Sequence, residues 1–334
     1  MRIGINGFGR IGRLILRNTL QRKDATVVAI NNPGMTLDYA AYLLTYDTVH
    51  GKLNADIKVD NENSALIING QTIKFYTEKE PINIPWGKNR VDVVCEASGV
   101  FTTTEKCQAH LDAGAGKVVI TAPAKDKETP TYVMGVNEDQ YQPSQRIVSN
   151  ASCTTNCLAP LCKVINDQFG IENGLMLTVH AVTATQNTVD GSSVKNWRLG
   201  RAAYDNMIPS TTGAAKAVGL VIPELQGKLT GSSLRVPVAN VSVVSLDCNL
   251  RKPATKEAIC AVIKNASEHE MKGILAYTDV PVVSSDIKGD PHTCVFDAEA
   301  SIFLTDKFVK LTAWYDNEWG YSVKTVDLAV HICK

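Results

Sequence analysis

The sequence predicts two domains, an α/β domain with a parallel sheet and then an α+β domain with a large, mainly antiparallel sheet. Residues 1–60 alternate between strand-like and helix-like segments around a glycine-rich turn. After Cys153, long strand candidates follow one another without regular helices between them. The chain has 334 residues, of which 44% are hydrophobic, and this is enough for two cores.

The glycine-rich turn joins the first strand to the first helix. Residues 1–6 form an apolar strand, the motif Gly7-Phe-Gly9-Arg-Ile-Gly12 follows, and residues 26–31 form the next strand. Gly7 permits a tight turn, Gly9 lets the backbone approach a pyrophosphate, and Gly12 lets the helix pack closely on the strand. The alternative is a plain strand–helix turn. Because strand and helix lie where the motif requires them, we expect a Rossmann-type dinucleotide-binding domain with phosphates at the helix N-terminus.

Asn32 stands where this fold usually has an acidic residue that holds the ribose hydroxyls of adenosine. Asparagine can still hydrogen-bond a ribose, and it lacks the charge that would repel a 2′-phosphate. It is equally suited to a turn ahead of Pro33-Gly34. The sequence leaves both roles open.

Further strand–helix alternation completes the first domain. We predict strands at residues 91–97, 117–121 and 132–136, and a helix at residues 103–113 that begins with a threonine cap. Ligands bind such sheets beyond the carboxyl ends of the strands. Ser98, Gly99 and Thr121 are therefore candidate neighbours of a cofactor, with ordinary loop positions as the alternative.

Cys153 lies at the start of a predicted helix. Small residues from Ser149 to Ser152 precede it, and an apolar helical pattern runs on to Gly170. Unpaired N–H groups and the helix dipole favour the thiolate, which is the nucleophile. His180 ends a buried strand further along, so the two side chains can meet in space. We expect Cys153 to attack a substrate and His180 to move its proton; a satisfied strand-end histidine is the alternative.

The second domain is predicted to be rich in strands. Strand candidates cover residues 175–182, 234–250 and 300–315, and a helix covers residues 255–268. A helix at residues 321–333 ends the chain. The long irregular stretch 183–209 is expected to be functional or an assembly element, because such loops are uncommon in compact domains.

The composition argues against several classes of protein. Lys plus Arg and Asp plus Glu each total 34, and no basic block points to nucleic acid. No apolar run approaches the roughly 20 residues of a membrane helix, and a strand that begins at Arg2 leaves no room for a signal peptide. Nine scattered cysteines, with no C-x-x-C pair and no zinc-like spacing, indicate a reducing compartment and no metal site. The cytoplasm is the default expectation.

Four motifs together carry a family resemblance: Gly7-Phe-Gly-Arg-Ile-Gly12, Ala151-Ser-Cys-Thr-Thr-Asn-Cys157, Thr211-Thr-Gly-Ala-Ala-Lys-Ala-Val218 and Trp314-Tyr-Asp-Asn-Glu-Trp-Gly-Tyr321. The chain resembles phosphorylating glyceraldehyde-3-phosphate dehydrogenases from end to end. The resemblance implies a homotetrameric cytosolic enzyme of glycolysis and gluconeogenesis that uses glyceraldehyde 3-phosphate, inorganic phosphate and a nicotinamide cofactor. It divides the chain into a dinucleotide-binding domain, residues 1–151 completed by a helix at 318–334, and a catalytic domain, residues 152–317.

The resemblance also implies roles for individual residues. Cys153 and His180 are implied to form and oxidise a thiohemiacetal, leaving a thioester that phosphate attacks. The implied cofactor contacts are Gly7, Phe8, Gly9, Arg10, Ile11, Gly12, Asn32, Ser98 and Asn317. Thr183, Thr185 and Arg235 resemble the site for the substrate's own phosphate, and Ser152, Thr154, Thr212 and Arg201 resemble the site for the attacking phosphate. Arg198 is expected to be a solvated surface charge, and Cys157 to be a packing residue.

The departures from the family pattern concern the cofactor. NAD-specific members usually carry Asp in place of Asn32 and commonly Pro in place of Ser192. Lys79 stands where the family often has Arg and could reach a 2′-phosphate. We therefore expect NAD as the cofactor and hypothesise that NADP is also used. Two other classes remain as alternatives, an aldehyde dehydrogenase for another substrate and a nucleotide-binding thiol sensor without turnover.

Overall fold

The computed structural model describes residues 1–194 and 196–334, and its backbone divides into two compact units. Unit 1 comprises Met1–Tyr132, Glu138–Ala151 and Ser322–Lys334, and unit 2 comprises Val133–Asn137 and Ser152–Tyr321. Within the described residues, no helix is both long and apolar enough to cross a membrane.

Unit 1 contains eight strands and three helices ahead of the C-terminal helix. The strands are β1 (Arg2–Asn6), β2 (Thr26–Asn31), β3 (Ile57–Asp60), β4 (Ala65–Ile68), β5 (Gln71–Tyr76), β6 (Val93–Glu96), β7 (Lys117–Ile120) and β8 (Ile147–Ser149). The helices are α1 (Arg10–Thr19), α2 (Leu37–Thr45) and α3 (Thr104–Asp112).

One sheet runs through unit 1 in the order β3-β4-β5-β2-β1-β6-β7-β8, parallel from β5 to β8. All four residues of β6 are buried, as are four of the five in β1, because a parallel sheet is covered on both faces. These apolar runs produce the predicted α/β domain and place the strand ends Asn6, Asn31 and Glu96 side by side.

Two details of this sheet differ from the prediction. Residues 132–136 are not a strand, because Gly135 has φ +81°, a left-handed conformation that breaks an extended chain. The last strand is instead β8. The antiparallel strands β3 to β5 were not predicted, although the Asn69-Gly70 turn between β4 and β5, with φ +49° and +81°, is a strong hairpin signal.

In the described part of unit 2 there are seven strands and three α-helices, and the C-terminal helix α7 begins at the end of this unit. The strands are β9 (Ile171–His180), β10 (Ile208–Thr211), β11 (Leu229–Arg235), β12 (Ser242–Leu250), β13 (Leu275–Thr278), β14 (Cys294–Phe303) and β15 (Phe308–Tyr315). The helices are α4 (Cys153–Phe169), α5 (Ala214–Val221), α6 (Lys256–Glu268) and α7 (Trp319–Ile332).

The sheet of unit 2 has the order β10-β11-β9-β12-β15-β14-β13, and four of its six pairings are antiparallel. Buried and half-buried residues alternate along β12, as expected for a sheet with one face on the core. The prediction of a mainly antiparallel sheet is therefore confirmed, and helix α4 packs against its strands β14 and β15.

Two predicted strands were each too long. Residues 234–250 are divided between β11 and β12, because Val241 has φ +74° and cannot continue a strand. Residues 300–315 are divided between β14 and β15, which pair antiparallel across residues 304–307. The turn residues Asn240 and Asp306 lie in these connections, and the prediction of single long strands overlooked them.

Candidate active site

The three glycines of the first turn differ in how much space a larger side chain would have. Gly7 has φ +94°, and a Cβ on it would lie 2.5 Å from the Ser98 nitrogen. A Cβ on Gly12 would lie 2.1 Å from the Gly7 oxygen. Gly9 faces open space, with nothing within 4 Å of its Cβ position, and no side chain caps helix α1. A phosphate group therefore has access to the N-terminus of this helix at Gly9.

Asn32 is bound into the same turn. Its Oδ1 accepts a hydrogen bond from the Phe8 N–H (2.8 Å), and its Nδ2 donates to the Pro33 oxygen (3.2 Å). The side chain thus has a structural role in holding the glycine-rich turn. Its oxygen is occupied by Phe8, so the amide presents an N–H donor on its other side.

Arg10, Ile11 and Ser98 lie around this turn. Arg10 forms an ion pair with Asp47. Burial works against ionisation of Asp47, but Arg10 and the His50 N–H hold the pKa of this carboxyl well below its usual range. Ile11 is only half-buried at the start of α1, and Ser98 donates to Glu96 from its N–H (2.8 Å) and from its hydroxyl.

Cys153 is the first residue of helix α4, as predicted. Ser152 is the N-cap, because its Oγ accepts from the Thr155 N–H at 3.0 Å. Gly170, with φ +69°, terminates the helix. The cap and the glycine therefore fix both ends of the helix that presents the thiol.

The structure brings Cys153 and His180 together, with 3.5 Å between Sγ and Nε2. His180 Nδ1 has two neighbours at 2.7 Å, the Ala181 carbonyl oxygen and the Arg235 Nη1. A proton on Nδ1 suits Ala181 and leaves Nε2 able to accept the thiol proton. A bare Nδ1 instead accepts from Arg235 and leaves the proton on Nε2. Ala181 and Arg235 therefore favour opposite tautomers of His180.

Burial governs the charges of this pair. It lowers the pKa of His180 to about 4, and the Arg235 guanidinium acts in the same direction. Burial also raises the pKa of the Cys153 thiol, although Arg235 and hydrogen bonds from Thr154 oppose the rise. Burial thus opposes the thiolate that the helix N-terminus is expected to favour. His180 is therefore the neutral partner of the pair at neutral pH.

Tyr315 supports the site and was missed by sequence reasoning. Its hydroxyl bonds the Thr154 hydroxyl (2.8 Å) and the Thr178 hydroxyl (2.9 Å), so it joins α4 to β9. Its ring lies edge-on to His180, with ring centroids 6.1 Å apart. Residues separated by 161 positions meet here, and no local pattern could have paired them.

Only some of the residues that resemble the two phosphate sites contact one another directly. The hydroxyls of Thr183 and Thr185 are 2.9 Å apart, on the segment that follows His180. Thr212 accepts from the Ala214 N–H at the start of α5. Arg201 is exposed, and its Nε donates to Asp190 at 2.9 Å. Arg235 thus contacts the reactive pair, whereas Arg201 is bound to an exposed carboxylate.

Asn317 is buried, and Ser242 orients it. The Ser242 hydroxyl donates to Asn317 Oδ1 (2.8 Å) and accepts from the Ala181 N–H (3.1 Å). The Asn317 Nδ2 is therefore the end of the amide available to a ligand carbonyl. Ser242 was also missed, since a serine that begins a strand carries no functional signal of its own.

The remaining cysteines are free thiols. Cys157 is fully buried and lies 3.9 Å from the Ala313 oxygen, which fits a packing residue. Across residues 1–194 and 196–334, no three of the His, Cys, Asp and Glu side chains are grouped to hold a metal ion.

Comparison with known proteins assigns the chain to a family. The profile described as the glyceraldehyde 3-phosphate dehydrogenase NAD binding domain matches residues 1–104, and the profile described as the C-terminal domain of the same enzyme matches residues 152–317. Together these profiles cover most of the chain.

Full-length relatives agree with the profiles. A glyceraldehyde-3-phosphate dehydrogenase of Ogataea parapolymorpha is 59% identical over 332 residues, which is 99% of this chain and 98% of the relative. Relatives of the same name from Podospora anserina and, numbered 3, from Kluyveromyces marxianus are each 57% identical over 334 residues, with coverage of 100% of this chain and 98% or 99% of their own. The chain therefore belongs to the glyceraldehyde-3-phosphate dehydrogenase family.

Proposed function

We propose that this oxidoreductase converts D-glyceraldehyde 3-phosphate and inorganic phosphate to 1,3-bisphosphoglycerate, with reduction of NAD, in glycolysis and gluconeogenesis. The observation that carries the proposal is the Cys153–His180 pair beside Arg235, in a chain of this family. We assign dinucleotide binding to residues 1–151 with the helix at 318–334, and the chemistry to residues 152–317.

His180 acts as the base in this proposal. As Sγ of Cys153 attacks the aldehyde carbon, the thiol proton passes to Nε2, which is 3.5 Å away. His180 returns this proton to the carbonyl oxygen, which gives the thiohemiacetal. The neutral His180 then accepts the hydroxyl proton while the carbon gives up a hydride, for which a bound nicotinamide would supply the acceptor, and a thioester remains. Phosphate attacks the thioester carbonyl, the Cys153 sulfur leaves, and the acyl phosphate is released.

NAD fits the residues of unit 1. The open space at Gly9 and the uncapped α1 suit a pyrophosphate, and Asn32 and Ser98 follow strands of the same sheet. When bound, the nicotinamide supplies a hydride acceptor. In unit 2, Asn317 is assigned to the carboxamide of that ring because its Nδ2 is left available by Ser242.

Two phosphate sites complete the proposal. Thr183, Thr185 and Arg235 are assigned to the phosphate of the substrate, since two hydroxyls and a guanidinium offer suitable donors. Ser152, Thr154, Thr212 and Arg201 are assigned to the attacking phosphate. Thr154 contributes there through its position in the first turn of α4, because its hydroxyl already bonds Tyr315.

We also propose that NADP is accepted. Asn32 places a neutral side chain where a carboxylate would repel a 2′-phosphate, and Ser192 departs from the NAD-specific pattern. The Glu78 N–H donates to Asn31 Oδ1 (2.8 Å), so the loop that carries the exposed Lys79 lies beside the end of β2. A cation in this loop would favour the additional phosphate.

The test of the reaction is reduced-cofactor formation from glyceraldehyde 3-phosphate, with and without phosphate, in wild type and Cys153→Ser. We expect sustained turnover that requires phosphate in wild type and none in the variant, which should still bind NAD. Turnover by Cys153→Ser would contradict the mechanism. Absence of wild-type turnover would favour another aldehyde substrate or a thiol sensor.

The test of cofactor choice compares kcat/KM for NAD and NADP in wild type and in Asn32→Asp. We expect less than a hundredfold preference for NAD in wild type, equivalent to less than about 2.7 kcal/mol. Asn32→Asp should lower kcat/KM for NADP by tenfold or more and leave NAD within threefold. A wild-type preference for NAD above a hundredfold would remove NADP from the proposal.

We further propose a cytoplasmic homotetramer. Large apolar side chains are exposed in the irregular segment of unit 2, where Val194 is 95%, Trp197 85% and Met207 72% exposed. Such side chains on one segment support burial against further copies of the chain. Cell fractionation would test the compartment.

A further inference from the structure

A buried chain of hydrogen bonds crosses the carboxyl edge of the unit 1 sheet. Asn31, Asn6 and Glu96 end the adjacent strands β2, β1 and β6, and the sheet register pairs Asn6 with both of the others. Asn31 Nδ2 donates to Asn6 Oδ1 (2.8 Å), and Asn6 Nδ2 donates to Glu96 Oε2 (2.6 Å). Three strand ends are thereby tied together at one level.

Glu96 is the centre of this chain and is satisfied by four donors. Its side chain is 1% exposed, and Oε2 also accepts from His110 Nε2 at 2.9 Å. Oε1 accepts from the N–H and the hydroxyl of Ser98. A buried carboxylate is costly unless its lone pairs are used, so each of these donors is needed.

Trp86 determines which nitrogen of His110 carries the proton. The Trp86 Nε1 lies 3.0 Å from His110 Nδ1, and an indole nitrogen can only donate. His110 Nδ1 therefore accepts, and the proton lies on Nε2, where it is donated to Glu96. Trp86, which lies outside the sheet edge, thus fixes the direction of the hydrogen bond between His110 and Glu96. We call Asn6, Asn31, Trp86, Glu96 and His110 the strand-end network.

Each strand end in the network leads directly into a segment assigned to the cofactor. Asn6 precedes Gly7, Asn31 precedes Asn32, and Glu96 bonds Ser98. A Cβ on Gly7 would lie 2.5 Å from the Ser98 nitrogen, so the first and last of these segments are already in close contact. A shift of Glu96 would therefore move Ser98 against the glycine-rich turn.

We propose that Glu96 and His110 are positioning residues that set the affinity for the dinucleotide. They do so by fixing the turn at Gly7, the Asn32 segment and the Ser98 segment in the arrangement that the cofactor binds. Their hydrogen bonds given above lie within unit 1. The inference deepens the proposed function and rests on it in taking NAD as the ligand.

The experiment measures the Kd for NAD, the KM for each substrate and kcat at saturating NAD in wild type and Glu96→Gln. The side chain of Gln has one acceptor oxygen and one NH₂ donor group in place of the two carboxylate oxygens that accept from four donors. At least one of the segments that carry these donors must therefore move. We expect a Kd for NAD at least tenfold higher, with kcat at saturating NAD and the KM for glyceraldehyde 3-phosphate within twofold. A folded variant with a Kd within twofold of wild type would overturn the proposal.

Two further variants separate positioning from loss of stability. Trp86→Phe keeps the carboxylate and removes the donor that fixes the His110 tautomer, together with some buried ring volume, for which Leu66→Ala is the control; we expect a Kd for NAD at least threefold higher. This variant decides the question if Glu96→Gln does not fold, and an unchanged Kd would then overturn the proposal. Leu66→Ala removes buried apolar volume from β4 without touching the network, and it should lower the unfolding midpoint with an unchanged Kd.

The controls also separate the positioning role of the network from the identity of the cofactor. A Kd raised equally by Leu66→Ala and Glu96→Gln would overturn the positioning role, because loss of stability alone would then explain it. Wild-type protein that fails to bind NAD would overturn the proposed cofactor and this inference with it. Wild-type binding of NAD with no effect of Glu96→Gln or Trp86→Phe would overturn the positioning role alone.

Discussion

His180 is buried without its proton, and this has a consequence for stability. Its pKa is about 4 in the folded protein and close to 6.5 when the chain is unfolded. Between these values the unfolded chain binds the proton and the folded protein does not. The contribution to stability is therefore present above pH 6.5 and is lost as the pH falls towards 4.

The first prediction follows from this linkage. Between pH 7 and pH 5, wild type should lose about 2 kcal/mol more unfolding free energy than His180→Gln, which has no group to protonate at this position. Urea unfolding of both proteins at the two pH values measures the difference. Equal losses in the two proteins would mean that His180 is not held neutral by the fold.

The second prediction contrasts two glycines of one turn. Gly12→Ala places a methyl group 2.1 Å from the Gly7 oxygen and should prevent the close approach of α1 to the strand, with a stability loss of about 3 kcal/mol or more. Gly9→Ala meets no atom within 4 Å and should fold like wild type. The methyl group of Gly9→Ala would still occupy the approach to the pyrophosphate.

Thermal unfolding and NAD binding distinguish these outcomes. We expect Gly9→Ala to keep its unfolding midpoint and to bind NAD at least tenfold more weakly. A Gly12→Ala variant as stable as wild type would contradict the packing role of Gly12, and normal NAD binding by Gly9→Ala would place the pyrophosphate elsewhere.

At the scale of elements, helix ends were predicted better than strand ends. Ser152, Thr103 and Thr255 each cap a helix through a hydrogen bond from the N–H three residues on, and these starts were legible in the sequence. Strand ends in unit 2 depended on Val241, whose positive φ no residue preference announced, and on the β14–β15 turn, where the signal of Thr305 and Asp306 was overlooked. The supports of the site, Tyr315 and Ser242, were invisible because they bond partners on other elements.

The third prediction concerns the cap of α4. Ser152→Ala removes the acceptor for the Thr155 N–H and should cost about 1 kcal/mol of unfolding free energy. Because Cys153 is the next residue, its rate of alkylation by iodoacetamide should also change. Thr255→Ala removes the same kind of cap from α6 and is the matched control, with a similar loss of stability and unchanged alkylation. Equal alkylation rates in both variants would contradict a link between the cap and the thiol.

At the scale of the molecule, the two sheet types were predictable because they differ in burial pattern. Parallel strands such as β6 are buried along their whole length, and antiparallel strands such as β12 alternate between buried and half-buried residues. The family was equally legible, because its motifs are spread from Gly7 to Tyr321. The contacts of each site residue could not be predicted from the sequence. The contact of Arg235 with His180, for example, depends on the register of β11 against β9.

The fourth prediction concerns assembly. Trp197→Ser replaces an indole that is 85% exposed, so the stability of the single chain should change little. If Trp197 is buried between copies, sedimentation velocity should show smaller species for this variant at micromolar concentration. Lys23→Ser changes an exposed polar residue as a control and should sediment like wild type. Identical sedimentation of all three proteins would exclude Trp197 from the interface.

The register of β9, β11 and β15 also bears on how activity appears during folding. His180 bonds Arg235 across 55 positions, and Tyr315 bonds Thr178 across 137 and Thr154 across 161. Contacts between residues so distant in sequence form late, because closing the intervening loops is slow. During synthesis, Cys153 is therefore present long before Arg235 and Tyr315, which contact His180. Recovery of catalysis after denaturation should therefore lag behind recovery of helical signal and report the final closure of this sheet.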